Sequence, residues 1–172
     1  MALPGVDSRA VEAPESLTLR EFTPGLAEVV SSWATTAEEV LAWCSRTAAA
    51  VPAEVIAGWG REPDVLAYVL LDDGRPVGYG EVWVDDEQRE VEIARVLVAP
   101  ARRGQGFGRA LVTHLVAAGR RLHPAVFLRV TPGNDAAVAC YRAAGFIRVA
   151  PELEQEWNIG QPAPYLWMTH PG

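Results

Sequence analysis

The chain has 172 residues, of which 49% are hydrophobic and 22% are charged, and its net charge is −7. This length and balance suit one domain with a full hydrophobic core. No apolar run approaches the roughly 20 residues that a membrane-spanning helix requires. The first 16 residues hold no long apolar segment, so we interpret 1–16 as a flexible arm, 17–172 as one domain and the cytoplasm as the default compartment.

The charge is distributed unevenly along the chain. All 15 basic residues are arginine, and eight of them lie between Ala101 and Arg148, where Asp135 is the one acid. An acidic protein with one arginine-rich segment is a poor candidate for general nucleic-acid binding. It is a good candidate for docking a small polyanion at one place.

The first half of the chain predicts a strand, helices and then an antiparallel meander. "LTLREF" (17–22) alternates apolar and polar residues, as a half-buried strand does. Helical segments follow, and Thr36 and Glu39 have the spacing of a capping box. Three strands within 65–98 are separated by "DDGR" and "DDEQ", and the Asp-Gly pair of the first turn is a hairpin signal.

The second half alternates helices and strands. Apolar residues at helical spacing follow Phe107, and "AVFLRV" (125–130) is typical of a strand covered on both faces. A second helix has Asn134 or Asp135 as its N-cap and Gly145 at its end. "FIRVA" and "YLWMTH" close the chain as strands with a polar loop between them. The order predicts an α/β (α+β) fold with a mixed, mostly antiparallel sheet of about seven strands flanked by helices.

The stretch "APARRGQGFGRAL" places three glycines at the start of a helix, at Gly104, Gly106 and Gly108. Helix N-termini expose unpaired N–H groups and the positive end of the helix dipole. Glycines remove the side chains that would hold an anion away from these donors. The loop also carries three arginines, Arg102, Arg103 and Arg109. We interpret it as a phosphate cradle, with a glycine-rich turn that binds nothing as the alternative.

Two common phosphate loops do not fit this spacing. A Walker loop ends in Gly-Lys-Ser/Thr, whereas Gly108 is followed by Arg109 and Ala110. The dinucleotide fingerprint GxGxxG lacks its third glycine. The pattern that fits is R-x-x-G-x-G, from Arg103, Gly106 and Gly108.

"ARVLVAPARRGQGFGRALV" closely resembles the acyl-CoA-binding motif of the GCN5-related N-acetyltransferases (GNAT), and "NDAAVACYRAAGF" is similar to the second motif of that family. Together the motifs cover residues 92–146. The resemblance implies the GNAT fold, acetyl-CoA as co-substrate, no metal, and direct transfer of the acetyl group to a primary amine in a ternary complex. The alternative is a non-catalytic domain that binds or senses acyl-CoA.

The resemblance also implies where the coenzyme binds. The pantetheine arm would run beside the strand Val96, Leu97 and Val98, which carries a bulge and splays from its neighbour in this family. The Val98 amide would face the thioester oxygen and stabilise the oxyanion. Asn134 would contact the pantetheine arm. The diphosphate would bind the loop residues Arg103, Gly104, Gln105, Gly106, Phe107, Gly108 and Arg109.

Acetyl transfer requires a free amine, yet alkyl amines have a pKa of about 10.4 and are protonated near neutral pH. A general base is therefore expected, and Glu81 and Glu92 are the candidates because both interrupt apolar strands. The alternative for each is a carboxylate that faces solvent or pairs with Arg95. Glu92 shares a strand face with Val96 and Val98 only if no bulge intervenes.

Tyr141 matches the tyrosine that serves as general acid for the leaving thiolate in the family. The alternative is a core position, because Tyr141 lies on an apolar helical stripe. The acceptor amine stays open between a small amine, an aminoglycoside-like polyamine, an amino acid and a protein N-terminus. Neither nucleic acid nor a membrane is expected as a partner, and a homodimer is possible. Acids in the early helices and late loops would suit a cationic amine or would simply be solvated: Glu38, Glu39, Glu152, Glu154 and Glu156.

Overall fold

A computed structural model describes residues 17–172, so the arm predicted for 1–16 lies outside the described residues. Seven strands form one sheet: β1 (Thr18–Glu21), β2 (Val65–Asp72), β3 (Arg75–Asp85), β4 (Glu90–Val98), β5 (Ala125–Val130), β6 (Ile147–Arg148) and β7 (Leu166–Thr169). Their order in the sheet is β1-β2-β3-β4-β5-β7-β6. The β4–β5 pair is parallel and the other pairs are antiparallel, so the predicted mixed, mostly antiparallel sheet is confirmed.

Helices cover both faces of the sheet: α1 (Ala27–Ser31), α2 (Ala37–Cys44), α3 (Ala53–Trp59), α4 (Phe107–Arg120), α5 (Asp135–Ala143) and α6 (Pro151–Trp157). Helices α1 to α3 bury Val40 and Ile56 against one face, near Tyr79 of β3. Helix α4 buries Leu111 and Leu115 against the other face. Two apolar layers therefore hold the sheet between them.

Local signals in the sequence account for several of the boundaries. Thr36 and Glu39 form the predicted capping box at α2, and the Asn134 side chain accepts a hydrogen bond from the Ala137 amide at α5. In the β2–β3 turn, Asp73 has φ 47° and Gly74 has φ 75°, as a tight hairpin requires. These predictions are confirmed.

The polar loop predicted between the last two strands contains a helix instead. Residues Pro151–Trp157 form α6, with proline in the first turn and acids Glu152 and Glu154 beside it. Proline is favoured at the first helical position, and acids near a helix N-terminus stabilise the helix dipole. The polar composition concealed these start signals.

Strand β4 departs from both of its neighbours in its second half. Its pairing with β5 is confined to Glu90–Glu92, so the remainder of β4 diverges from β5. Its register with β3 shifts by one residue next to Gly80, and Arg95 there has φ 46°. Both the bulge and the splay implied by the family resemblance are therefore present, and a V-shaped gap opens between β4 and β5.

The bulge also changes which side chains share a face. Glu92 lies opposite Trp83 of β3, on the side covered by α1 to α3. Val96 and Val98 lie beyond the bulge, and their side chains face α4. One extra residue reverses the alternation of a strand, so Glu92 does not share a face with these valines.

Helix α4 packs unusually closely on the sheet at Gly119. A Cβ atom added there would lie 2.8 Å from Cγ2 of Val91, a stiff side chain within β4. We expect Gly119→Val to lower the free energy of unfolding by about 1–3 kcal/mol, as overpacking does. Urea denaturation followed by circular dichroism measures this change.

Gly58 in α3 provides the matched control, because a Cβ atom there would meet nothing within 4 Å. Gly58→Ala is expected to raise stability by about 0.5–1 kcal/mol through helix propensity alone. Equal stability of Gly119→Val and the parent chain would show that α4 is not packed as described.

Candidate functional site

A cleft of about 620 Å³ lies between the second half of β4, the glycine loop and α5. We call it the donor cleft. Its lining includes nine of the residues that the family resemblance assigns to coenzyme binding, together with the predicted general acid Tyr141: Val96, Leu97, Val98, Arg103, Gly104, Gly106, Gly108, Arg109 and Asn134. Segments far apart in sequence therefore meet around one space, as the two motifs require.

The glycine loop presents a run of unpaired backbone donors to this cleft. None of the six amides of 104–109 donates a backbone hydrogen bond of good geometry within residues 17–172. Gly104 has φ 71°, Gly106 has φ 88° and caps α4, and a Cβ atom at either position would meet nothing within 4 Å. The positive end of α4 and these open amides together form an anion site.

Two predicted loop residues keep their side chains out of the donor cleft. The Gln105 side chain is exposed and its Nε2 donates to the Ala101 carbonyl. The Phe107 ring packs against the core beside α4, and the Arg102 guanidinium lies 5.2 Å from its centroid. Only the backbone of these two residues therefore remains available to a ligand in the cleft.

Arg103 fixes the wall of the donor cleft. Its Nε donates to the Val98 carbonyl at 3.1 Å, its Nη2 to the Trp33 carbonyl at 2.7 Å and its Nη1 to Glu39 at 2.6 Å. This guanidinium, with the amides of Thr35 and Thr36, lowers the pKa of Glu39 to about 2. Arg103 thus joins the end of β4 to α2 and to the segment between α1 and α2.

The other two arginines of the loop differ from Arg103. Arg102 pairs with Asp72 at 3.2 Å. Arg109 is exposed, lines the donor cleft, and has no side-chain partner in the described part of the chain. Of the three arginines expected around the rim, Arg109 is therefore the one left for an incoming anion.

A second space of about 320 Å³ adjoins the donor cleft, and we call it the acceptor cavity. The two share Ala42, Trp43, Val96 and Tyr141, so Tyr141 stands where they meet. Its ring packs edge-on against Phe146 at 6.2 Å. Tyr141 is therefore both a core contact and a lining residue, and the two interpretations of its position are compatible.

Tyr141 is suited to donating a proton. Within residues 17–172 its hydroxyl has no hydrogen-bond partner. Burial raises the pKa of Tyr141 above its ordinary range, and the neighbouring Cys140 adds to the effect. The hydroxyl therefore stays protonated at neutral pH.

Glu92 lines the acceptor cavity and can act as a base. Its side chain is 11% exposed and pairs with Nε of Arg129 at 2.9 Å. Burial raises the pKa of Glu92 to about 7, against the opposing effect of the Arg129 charge. A carboxyl group with this pKa exchanges protons readily near neutral pH.

Glu81, the other candidate base, lies outside both spaces. Its side chain is 0% exposed and its carboxylate accepts hydrogen bonds from the Tyr79 hydroxyl, Trp83 Nε1 at 2.6 Å and Arg95 Nη1 at 3.1 Å. The Arg95-paired alternative therefore describes Glu81. Three donors and complete burial leave this carboxylate no access to a substrate, so the structure does not support Glu81 as a base.

Sequence reasoning did not identify the two arginines that dominate the acceptor cavity, Arg95 and Arg129. Arg129 is the single charged residue in the strand "AVFLRV", and that isolation was the available signal. A buried strand tolerates a charge only where it has a partner or faces a site.

Of the two interpretations of the acids in the early helices and late loops, the described residues favour solvation or local pairing over an acidic acceptor wall. Glu38, Glu152 and Glu156 line neither space, and Glu154 pairs with Arg148 at 2.6 Å. Glu39 reaches the donor cleft but pairs with Arg103. These carboxylates are therefore either solvated or paired with nearby arginines.

Within 17–172, no group of three or more His, Cys, Asp or Glu side chains is placed to hold a metal ion. Nor does that range contain a helix of sufficient length and apolar character to cross a bilayer.

Residues 29–146 match the model of the Acetyltransferase (GNAT) family. This match extends over more than half of the chain and includes the glycine loop, β4 and α5. The chain therefore belongs to the GNAT family.

Individual proteins show the same relationship. Mycothiol acetyltransferase of Streptomyces coelicolor is 28% identical over 161 residues, covering 84% of this chain and 47% of that protein. Mycothiol acetyltransferase of Corynebacterium efficiens is 42% identical over 95 residues, covering 52% of this chain and 30% of the relative. The chain thus spans less than half the length of these curated relatives.

Among solved structures, the aminoglycoside acetyltransferase AAC(6')-Ib in complex with coenzyme A and kanamycin superimposes with a TM-score of 0.67. The superposition covers 90% of this chain and 94% of that one, at 23% identity. The shared feature is the fold.

Proposed function

We propose that the protein is an acetyl-CoA-dependent N-acetyltransferase that transfers the acetyl group directly to a primary amine in a ternary complex. The observation that carries the proposal is the run of open amides at 104–109, at the end of a cleft that leads along β4 to Tyr141. Membership of the GNAT family supports it, as do the names of the relatives, which are acetyltransferases.

The donor cleft fits two parts of coenzyme A, the diphosphate and the pantetheine arm. The open amides and Arg109 suit a diphosphate. The splay of β4 frees backbone groups beyond Glu92 from β5, so an extended pantetheine arm can hydrogen-bond along Val96–Val98. The Asn134 side-chain oxygen caps α5, which leaves its amide nitrogen for the same arm.

When bound, acetyl-CoA supplies an activated acyl group. Glu92 removes the proton from the acceptor ammonium, and the free amine attacks the thioester carbon. The Val98 amide stabilises the oxyanion. As the C–S bond breaks, Tyr141 protonates the leaving thiolate. The first amine proton thus goes to Glu92 and the thiol proton comes from Tyr141. The attached nitrogen still carries one proton more than an amide, and transfer of that proton to the Tyr141 phenolate gives the neutral amide and restores the acid.

The decisive experiment for the proposed function measures thiol release from acetyl-CoA across a panel of primary amines. Release that depends on an added amine, with an acetylated product by mass spectrometry, supports it. Tight acetyl-CoA binding with no transfer to any amine would instead favour the non-catalytic acyl-CoA-binding domain.

The first prediction concerns the phosphate cradle. Gly106→Asp places a carboxylate among the open amides, where it occupies donors and repels a diphosphate. We expect acetyl-CoA binding to weaken at least about a hundredfold, as calorimetry measures, because two or more charge-assisted hydrogen bonds are lost.

Gly74→Asp is the control for this variant. Gly74 has φ 75° and open space around it, so it imposes similar backbone strain and the same charge outside the cleft. Its coenzyme affinity should match that of the parent. An equal affinity for Gly106→Asp would remove the cradle from the proposal.

The second prediction concerns the general acid. Tyr141→Phe keeps the ring contact with Phe146 and removes the proton donor. Turnover at saturating substrates should fall about a hundredfold or more, while the Kd for acetyl-CoA changes by less than about threefold. Tyr68→Phe, a half-buried tyrosine outside both spaces, should leave both quantities unchanged. A normal kcat for Tyr141→Phe would exclude the acid role.

The third prediction concerns the base. Because Glu92 must be deprotonated, kcat/KM should rise with pH through an apparent pKa near 7. Arg129 lowers this pKa, so Arg129→Gln should move the rising limb to higher pH. Glu92→Gln should abolish the limb and reduce kcat by about a hundredfold or more. An unchanged limb in Glu92→Gln would assign it to the amine substrate instead.

A further inference from the structure

The charged lining of the acceptor cavity consists of one carboxylate, Glu92, and two guanidinium groups, Arg95 and Arg129. Arg129 pairs with Glu92, and Arg95 pairs with the buried Glu81 behind the wall. No further acid lines this space. A polycationic acceptor would therefore meet two fixed positive charges with no additional carboxylate to bind its other amines.

Arg95 presents an unused hydrogen-bonding edge. Its guanidinium lies 4.0 Å from the Trp59 ring centroid and 4.9 Å from that of Trp83. Nη1 donates to Glu81, and within residues 17–172 neither Nε nor Nη2 has a partner. The side chain is 17% exposed. Aromatic contacts on its faces leave only the edge of the guanidinium plane for a ligand.

Arg129 is similar. Its Nε pairs with Glu92 at 2.9 Å and its Nη1 donates to the Gln161 side chain at 2.8 Å. Across the described part of the chain, Nη2 has no acceptor. The guanidinium lies 5.8 Å from the Trp83 centroid, so both arginines share one tryptophan. The side chain is 26% exposed.

Cationic donors that are largely removed from water require acceptors, and a carboxylate is the group that matches a guanidinium edge best. The Glu92–Arg129 pair also sets an anion beside a cation, at 2.9 Å. An amine with a carboxylate one carbon away carries the complementary pair of charges. The cavity volume of about 320 Å³ lies at the small end for ligand sites.

We propose that the acceptor is a small primary amine that bears its own carboxylate, in its simplest form an α-amino acid. The amine lies at Glu92 and the carboxylate binds the free edges of Arg95 and Arg129. This inference rests on the proposed acetyltransferase function. It assigns to the two arginines a role in selecting the acceptor, separate from the binding of the coenzyme.

The test compares matched acceptors by thiol release from acetyl-CoA. The probes are the L-amino acids, their carboxamides, the corresponding decarboxylated amines, spermidine and kanamycin. At least one free amino acid should exceed its own carboxamide and decarboxylated amine about tenfold or more in kcat/KM. It should also exceed both polycations.

The outcomes separate this inference from the function on which it rests. Transfer that is equal or faster for carboxamides, simple amines or polycations overturns the inference and leaves the acetyltransferase intact. Acetyl-CoA binding without transfer to any amine overturns the proposed function, and the inference falls with it.

A variant tests the residue assignment. Arg129→Gln should raise KM for the preferred amino acid about tenfold and leave KM for its carboxamide within about twofold. Measurements at a pH well above 7 keep Glu92 ionised, so its pKa does not confound them. Arg75→Gln, an exposed arginine outside both spaces, should change neither KM. An equal rise in both KM values would show that Arg129 is merely structural.

Discussion

The buried contact between Glu81 and Arg95 is the interaction on which the site depends. Arg95 has φ 46°, a conformation that costs an ordinary residue about 1–2 kcal/mol. Glu81 holds its guanidinium, the Trp59 ring covers it, and Trp43 Nε1 donates to its carbonyl at 2.8 Å. These contacts stabilise the bulge and therefore the point at which β4 leaves its regular register. Glu81 is accordingly placed to hold Arg95 in position.

The bulge explains why residues on either side of it border different spaces. Before it, Glu92 faces α1 to α3 and looks into the acceptor cavity. After it, Val98 faces α4, and the backbone of β4 borders the donor cleft. A regular strand would place Glu92 and Val98 on one face. One inserted residue thus directs Glu92 to the acceptor cavity and Val98 to the donor cleft, and Tyr141 lines both spaces.

The sequence predicted most of what is encoded locally. The glycine loop, the capping box of α2 and the order of the strands along the chain depend on neighbours in the sequence, and all are present. Side-chain partners on neighbouring strands were harder to predict. Glu81 and Glu92 look alike, as single acids in apolar strands, and only their cross-strand surroundings distinguish them: three donors around Glu81, one arginine and a cavity beside Glu92. No spacing along the chain carries that information.

The raised pKa of Glu92 reflects a balance between burial and the charge of Arg129. Removal from water favours the neutral acid, and the Arg129 charge favours the carboxylate, so the pKa settles near 7. Glu81, by contrast, is fully buried and accepts hydrogen bonds from three side chains, so a substrate cannot reach its carboxylate. Exposure would return the pKa to about 4.5 and weaken the base. Partial burial beside a single arginine is thus the arrangement in which a strand carboxylate is both accessible and basic.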